Sequence, residues 1–321
     1  MSDLTPSEIQ NLMTSYMTNT MASAVTADFL KKADSLDVKK MLDLGLNIAN
    51  EEVKGAEYFL KSDRRALPEG FTEKDILRSD SKYYSDKFVV LLKYILGIDA
   101  LNLYSLSFST SRNPKIRAFY KKMLTDTTVL IERCMEFIIK NGMDQPIIHI
   151  PRTEVVEKIH EQDFLGKMFG KNRPLSTPEV QQLTTNYYST EVLRELLRSF
   201  CPTETTEIKE HFERGTKLFS KQLEAIQDKL QKENVPQFPT WETDIDTDRA
   251  PFSERLMLFK ISLIVGATGG KYGVSASATL RKDIGASFLK MMGETLLYAE
   301  DTGNILIKHK MLDEPPMIKK E

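Results

Sequence analysis

Leu4-Thr5-Pro6-Ser7-Glu8-Ile9-Gln10-Asn11-Leu12 recurs as Leu175-Ser176-Thr177-Pro178-Glu179-Val180-Gln181-Gln182-Leu183. The echo continues in order along the chain. Val38-Lys39-Lys40 is matched by Ile208-Lys209-Glu210, Gly45 by Gly215, and Ser85-Asp86-Lys87-Phe88 by Ser253-Glu254-Arg255-Leu256. Tyr104 is matched by Tyr272, Glu132 by Glu300, Lys140 by Lys308 and Met143 by Met311. The spacing is 171 residues at Leu4 and 168 at Tyr104, so only a few residues of insertion separate two copies of one unit. Chance supplies one such match, but not an ordered series at near-constant spacing.

Each copy reads as four helices. The first starts near Ser7 or Thr177, with Pro178 suited to a first helical turn. The second covers Asp37 to Lys61 and Thr206 to Lys232. Pro68, Gly70 and Phe71 then break the pattern in one copy, and Pro236, Pro239 and Trp241 in the other, which implies a long crossover. The third helix follows Ser85 or Ser253, and the fourth follows Asn113-Pro114 or Thr279. In the fourth helix, Ile116, Phe119, Tyr120, Met123, Thr127, Leu130, Ile131, Cys134 and Ile138 fall on one stripe at about 100° per residue. Ile284, Phe288, Met291, Thr295, Tyr298, Ala299, Thr302 and Leu306 repeat it. Midway along the first helix the apolar stripe changes side, from Val180, Leu183 and Tyr187 to Val192, Leu196 and Phe200, so either two buried faces or a kink is expected. The third helix of copy two carries Gly266, Gly269, Gly270 and Gly273. Each costs roughly 1 kcal/mol relative to alanine in a helix, and close approach of a neighbouring helix is the expected compensation.

The expected fold is therefore all-α, two tandem ferritin-like four-helix bundles related by the internal repeat. The division is a first bundle at 1–145, a connector at 146–174, a second bundle at 175–313 and a tail at 314–321. Phe164, Leu165, Met168 and Phe169 in the connector are expected to bury against a bundle.

Composition narrows the function. The 44 basic and 46 acidic residues nearly cancel, which argues against nucleic acid as a partner. Two cysteines cannot make a disulfide framework, and four histidines are few for a metal-rich protein. Met1-Ser2-Asp3-Leu4 opens no secretory signal and no long uncharged run suggests a membrane span, so a cytoplasmic protein is expected.

Phe164-Leu165-Gly166, Phe169-Gly170-Lys171, Arg173-Pro174-Leu175, Pro251-Phe252-Ser253, Tyr298-Ala299-Glu300-Asp301 and Glu314-Pro315-Pro316 resemble the domain-of-unknown-function family 3231 of spore-forming Gram-positive bacteria. The resemblance spans nearly the whole chain. It implies ferritin-like bundles in tandem and a setting in spores or sporulating cells, since some members are described as spore coat proteins. It transfers no catalytic residue. In several relatives the position of Glu52 and Gln222 looks like a histidine, and both copies here depart from that.

A di-metal carboxylate centre needs Glu on two helices and Glu-x-x-His on the other two, all pointing inward. Here Glu157-Lys158-Ile159-His160 lies in the connector, and Glu132 and Glu300 fall about 140° from the core stripe of the fourth helix. Gly269-Gly270-Lys271-Tyr272 lacks the first glycine and the hydroxyl residue of a phosphate loop. Cys134 and Cys201 read as structural. The buried polar candidates that remain are Glu52, Glu191, His211 and Gln222. They are expected to line a ligand site or to hydrogen-bond within the core. No cofactor, metal or catalytic residue is expected. The reading is a structural or interaction protein similar to spore coat proteins, working with an unknown protein partner or by self-association. The alternatives are a metal-binding carboxylate bundle, oxidase-like or storing, and a small-molecule sensor using an inter-bundle cleft.

Overall fold

The two echoing nonapeptides each begin a helix, and for the same reason. Thr5 and Glu8 close a capping box, the Thr5 amide donating to the Glu8 carboxylate at 2.9 Å and the Glu8 amide to the Thr5 hydroxyl at 3.3 Å. Ser176 and Glu179 repeat it. Two of the four amides that a helix start leaves unpaired are satisfied in this way. The computed structural model describes residues 3–78, 80–144, 148–156, 158–168, 170 and 172–318. Its helices are α1 (Pro6–Lys32), α2 (Leu36–Ser62), α3 (Asp86–Thr110), α4 (Pro114–Lys140), α5 (Thr177–Phe200), α6 (Thr206–Gln231), α7 (Glu254–Ala278) and α8 (Lys282–Lys308). No strand occurs among the described residues. The chain is all-α, two repeated sets of four helices with long crossovers between α2 and α3 and between α6 and α7.

The remaining starts follow the expected punctuation. Ser85 accepts from the Phe88 amide at 3.1 Å, and its counterpart Ser253 accepts from Leu256 at 3.2 Å. Asn113 caps α4 through Lys115, with Pro114 at the first helical position. The α3–α4 corner is tied back to α1, because Glu8 accepts the Arg112 and Asn113 amides at 2.8 and 2.7 Å. Glu179 does the same for Leu280 and Arg281 at 3.1 and 3.0 Å. Burial alone would raise the Glu179 carboxyl, but Arg173, Ser176 and the backbone donors outweigh it and hold it at about 2.

Compact units and repeat copies are different divisions. One unit comprises Met1–Gly142, Asp244–Met257 and Leu306–Glu321, and the other Met143–Thr243 and Leu258–Ile305. Within the first unit, residues 244–257 pair with the α2–α3 crossover. Ile76 bridges Phe252 and Tyr84 bridges Ile245. Arg78 reaches Asp246 at 2.6 Å, Ser253 donates to Asp75 at 2.6 Å, and the Tyr83 ring meets Phe252 edge-on at 5.6 Å.

α3 is by length and composition apolar enough to cross a membrane. Here it runs along α4 and touches α1, with Phe88, Val90, Leu91, Leu92 and Ile95 buried. α5 runs unbroken and is buried on both expected faces. Gly215 is required by close packing, since a Cβ there would run into the Tyr298 hydroxyl. The α7 glycines divide. Gly269 and Gly273 lie against Leu296 and Met292 of α8, whereas Gly266 and Gly270 face open space, so helix approach within the chain accounts for two of the four. In the connector, Phe164 and Leu165 are half-buried and the Arg173 guanidinium covers the Phe164 ring at 4.0 Å. Met168 corrects the expectation of burial: it is 52% exposed. Phe169 and Glu157 lie outside the described residues.

Candidate functional site

The 3.6-residue period that makes α6 amphipathic carries His211 and Gln222 into the interior of the second set of helices, and both are buried. Arg214, one turn on, donates to His211 Nδ1 at 3.2 Å. Nδ1 is therefore the lone pair, and Nε2 carries the proton to Thr302 at 2.9 Å. Thr302 passes its own proton to the Tyr298 carbonyl at 2.9 Å. The imidazole lies parallel to the Tyr298 ring with 4.3 Å between centroids. Burial, then the Arg214 charge, push its pKa down to about 4. His211 is thus a neutral imidazole with both nitrogens committed.

Gln222 is committed as well. The Tyr272 hydroxyl donates to its carbonyl at 3.0 Å, and its amide donates to the Met291 carbonyl and the Thr295 hydroxyl, both at 3.3 Å. Tyr272 in turn meets Thr190 at 2.7 Å. A chain of neutral hydrogen bonds therefore crosses from α5 through α7 and α6 to α8.

Glu191 of α5 is buried and accepts from Arg194 at 2.7 Å and from the Trp241 amide at 3.5 Å. Arg194 also holds Glu195 at 2.7 Å and Glu242 at 3.3 Å. Burial, only partly offset by Arg194, pushes Glu191 up to about 7. Its Oε2 and the Trp241 indole nitrogen are buried without a hydrogen-bond partner. Thr20, the counterpart of Glu191 in α1, accepts the Phe71 amide at 3.1 Å. One position in each copy therefore caps the aromatic residue of the crossover.

Glu52 is the outlier. It is fully buried on α2, and its carboxyl oxygens lie beside the Tyr104 and Ser15 hydroxyls without a well-formed hydrogen bond. Burial pushes it up to about 8, and the facing hydroxyls of Tyr104 and Ser15 offset this only in part. Ser15 is itself engaged with Tyr120 at 3.2 Å. Glu52 is thus held as a neutral acid at pH 7, surrounded by hydroxyls from α1, α3 and α4.

These four residues do not assemble into one centre. His211 and Gln222 share α6 but lie eleven residues, about 16 Å, apart along its axis, and Glu191 is paired elsewhere. Glu132 and Glu300 are exposed. Among the described residues, no group of three or more His, Cys, Asp and Glu side chains is placed to hold a metal ion. Sequence reasoning missed two features of the first set of helices. Lys93 of α3 donates to the buried Thr26 of α1, and burial pushes its amine down to about 8. Cys134 of α4 points its thiol at the Met41 sulfur of α2, 3.2 Å away, with burial raising its pKa to about 12. Lys93 had a signal, a lone cation in an otherwise apolar run. Cys134 was read only as core.

A family profile described as "Protein of unknown function (DUF3231)" matches residues 2–158 and again 163–321. Among solved structures, a protein from Bacillus halodurans titled a "putative spore coat protein" is similar at 18% identity and a TM-score of 0.43, covering 46% of this chain and 98% of its own. No curated protein matches.

Proposed function

The chain belongs to this family of proteins of unknown function, carrying its domain twice, and from that premise we propose that it is a structural or interaction protein of spore-forming cells. On this reading the ferritin-like bundles are rigid supports and the outer surface meets partners. The observation that carries it is the state of His211. An imidazole whose lone pair already takes a hydrogen bond from an arginine cannot ligate a metal without losing that bond, and the adjacent guanidinium repels a cation. Gln222 points the same way, since each polar atom of its amide group is spent inside the core. Buried polar networks that are satisfied internally rigidify and specify packing.

The metal-binding or small-molecule reading draws mainly on Glu52, whose buried carboxyl has no well-formed hydrogen bond, since Glu191 is neutralised by Arg194. A neutral acid among hydroxyls is a poor cation ligand until it loses its proton. The test loads the purified chain with iron(II) or manganese(II) under reducing conditions, removes free metal and measures what stays bound. The expected result is no stoichiometric ion. Two tightly bound ions per bundle, lost on Glu52→Ala or His211→Ala, would make the carboxylate-bundle reading the better one. Fractionation of sporulating cells of the native host with an antibody to the chain tests the setting, which is expected to be the spore or its mother cell.

A further inference from the structure

We propose that the outer face of α7 and α8 is a two-fold interface between two copies of this chain, an inference that rests on the interaction-protein reading and names its surface. Gly266 and Gly270, one turn apart on α7, and Gly293 on α8 would meet nothing if each carried a Cβ. Packing inside the chain therefore does not require glycine at these positions, although glycine weakens a helix interior. A second helix approaching from outside does require it, because small residues let helix backbones close on one another.

Beside these gaps stand large apolar side chains turned to solvent. Val274 is 64% exposed, Leu289 55%, Leu296 49% and Leu297 65%. The glycine gaps and two of the leucines are specific to the second copy. At the matching positions of the first copy, Gly266 is Ile98, Gly270 is Asn102 and Gly293 is Thr125, while Leu289 is Lys121 and Leu296 is Thr128. Val274 and Leu297 match Leu106 and Val129, which are exposed as well, so the second copy adds glycine gaps, Leu289 and Leu296 to an outer stripe that is already partly apolar. Exposed apolar patches on a soluble fold mark interaction sites.

The occupant follows from the order of residues along α8. Antiparallel pairing of α8 with its own copy about Thr295 sets Gly293 opposite Leu297 of the second copy, twice. The same register sets Lys290 opposite Glu300, again twice. Large side chains then fill small positions and charges meet opposite charges, which is the self-complementarity a two-fold axis demands. Lys290 is mostly exposed and its ion pair with Glu294 is a long i,i+4 one at 3.9 Å, which an exposed pairing with Glu300 of a second copy can replace at little cost. The extent also fits. Two neighbouring helices of about 25 residues present a face of roughly 37 by 20 Å, close to the 800 Å² or so each partner gives to a standard interface.

The experiment is sedimentation or light scattering of the full chain from 1 to 100 μM. The expected species is a dimer. Leu296→Glu with Leu297→Glu is expected to raise the dissociation constant at least a hundredfold while the helical circular dichroism stays unchanged. Gly270→Leu, which fills the gap without adding charge, is expected to raise it at least tenfold. Lys290→Glu alone weakens the dimer, and Lys290→Glu with Glu300→Lys restores it. A chain that is monomeric at 100 μM, or a dimer indifferent to both the leucine and the Gly270 variants, overturns the proposal. Neither result bears on the metal-loading test, so this surface and the broader reading fail separately.

Discussion

The two copies solve the same interior problem with different chemistry. Where the first uses Met41 against Cys134, the second uses His211 against Thr302. Where the first buries Glu52 near Tyr104, the second joins Gln222 to Tyr272. Yet Glu8 and Glu179 tie the same corner by the same backbone bonds. The difference separates two kinds of buried polar residue. Those that satisfy backbone groups are fixed by geometry that no apolar residue can replace. Those that pair with each other across helices can be exchanged as pairs, as long as volume and hydrogen bonding are kept. Copy two has closed the pairs at His211 and Gln222. Copy one has left a carboxyl open.

The largest effect is expected where both copies agree. Glu179→Ala strands the Leu280 and Arg281 amides and leaves Arg173 without its buried partner. It should cost about 3–5 kcal/mol, read by urea unfolding with Trp241, the single tryptophan, reporting on the second unit. Glu8→Ala, with no arginine left behind, should cost about 1–3 kcal/mol. Equal costs would mean that the ion pair adds nothing to the shared corner.

The open carboxyl sets an alkaline limit. Glu52 holds its proton up to about 8 when folded and releases it near 4.5, its ordinary value, when unfolded. Its contribution is fully present below pH 4.5 and is lost as pH rises through 8. Glu52→Gln removes that dependence. The variant should match the parent at pH 5 and exceed it at pH 9 by on the order of 2–4 kcal/mol, measured by hydrogen exchange of α2 and α3 amides. A parent whose opening free energy, after correction for the intrinsic exchange rate, is flat from pH 5 to 9 would show the carboxyl to be hydrated.

The second copy has an acid limit instead. His211 stays neutral to about 4 when folded but takes a proton near 6.5 when unfolded, so its contribution is present above 6.5 and lost as pH falls through 4. Glu191, raised to about 7, titrates in the opposite sense in the same unit. The imidazole is therefore read as a difference against His211→Met with Thr302→Cys, which imports the pair of copy one. At pH 7.5 the double variant should lie within about 1.5 kcal/mol of the parent. Between pH 6.5 and 4 it should gain on the parent.

The smallest effect is chemical. Cys134, fully buried and raised to about 12, should react with a thiol reagent only as fast as the core opens. The half-buried Cys201 should react first. Rates counted by mass spectrometry decide the order.

The repeat made the helices legible, because Thr5, Ser85 and Asn113 carry their capping chemistry locally and recur. Burial of Glu52, His211 and Gln222 was legible too, because a 3.6 period sorts residues by face. Their partners were not. Thr302 lies 91 residues from His211 in sequence, and which turn of α8 meets which turn of α6 depends on axial registry that no single stripe encodes. The crossovers were legible as breaks at Pro68 and Pro236, but not in their destination. Nothing local to Phe252 states that it will sit beside Ile76 and Tyr83.

That pairing has a consequence for inheritance. Residues 244–257 arose with the second copy and are built into the first compact unit. Splitting the gene at the repeat boundary would therefore take a wall from one product and leave a loose end on the other. Arg78 would lose its carboxylate, Asp75 its serine, and the Tyr83 ring its cover. The boundary of the repeat is therefore not the boundary of a stable part, and a cut made there severs contacts that a cut along the compact units would keep.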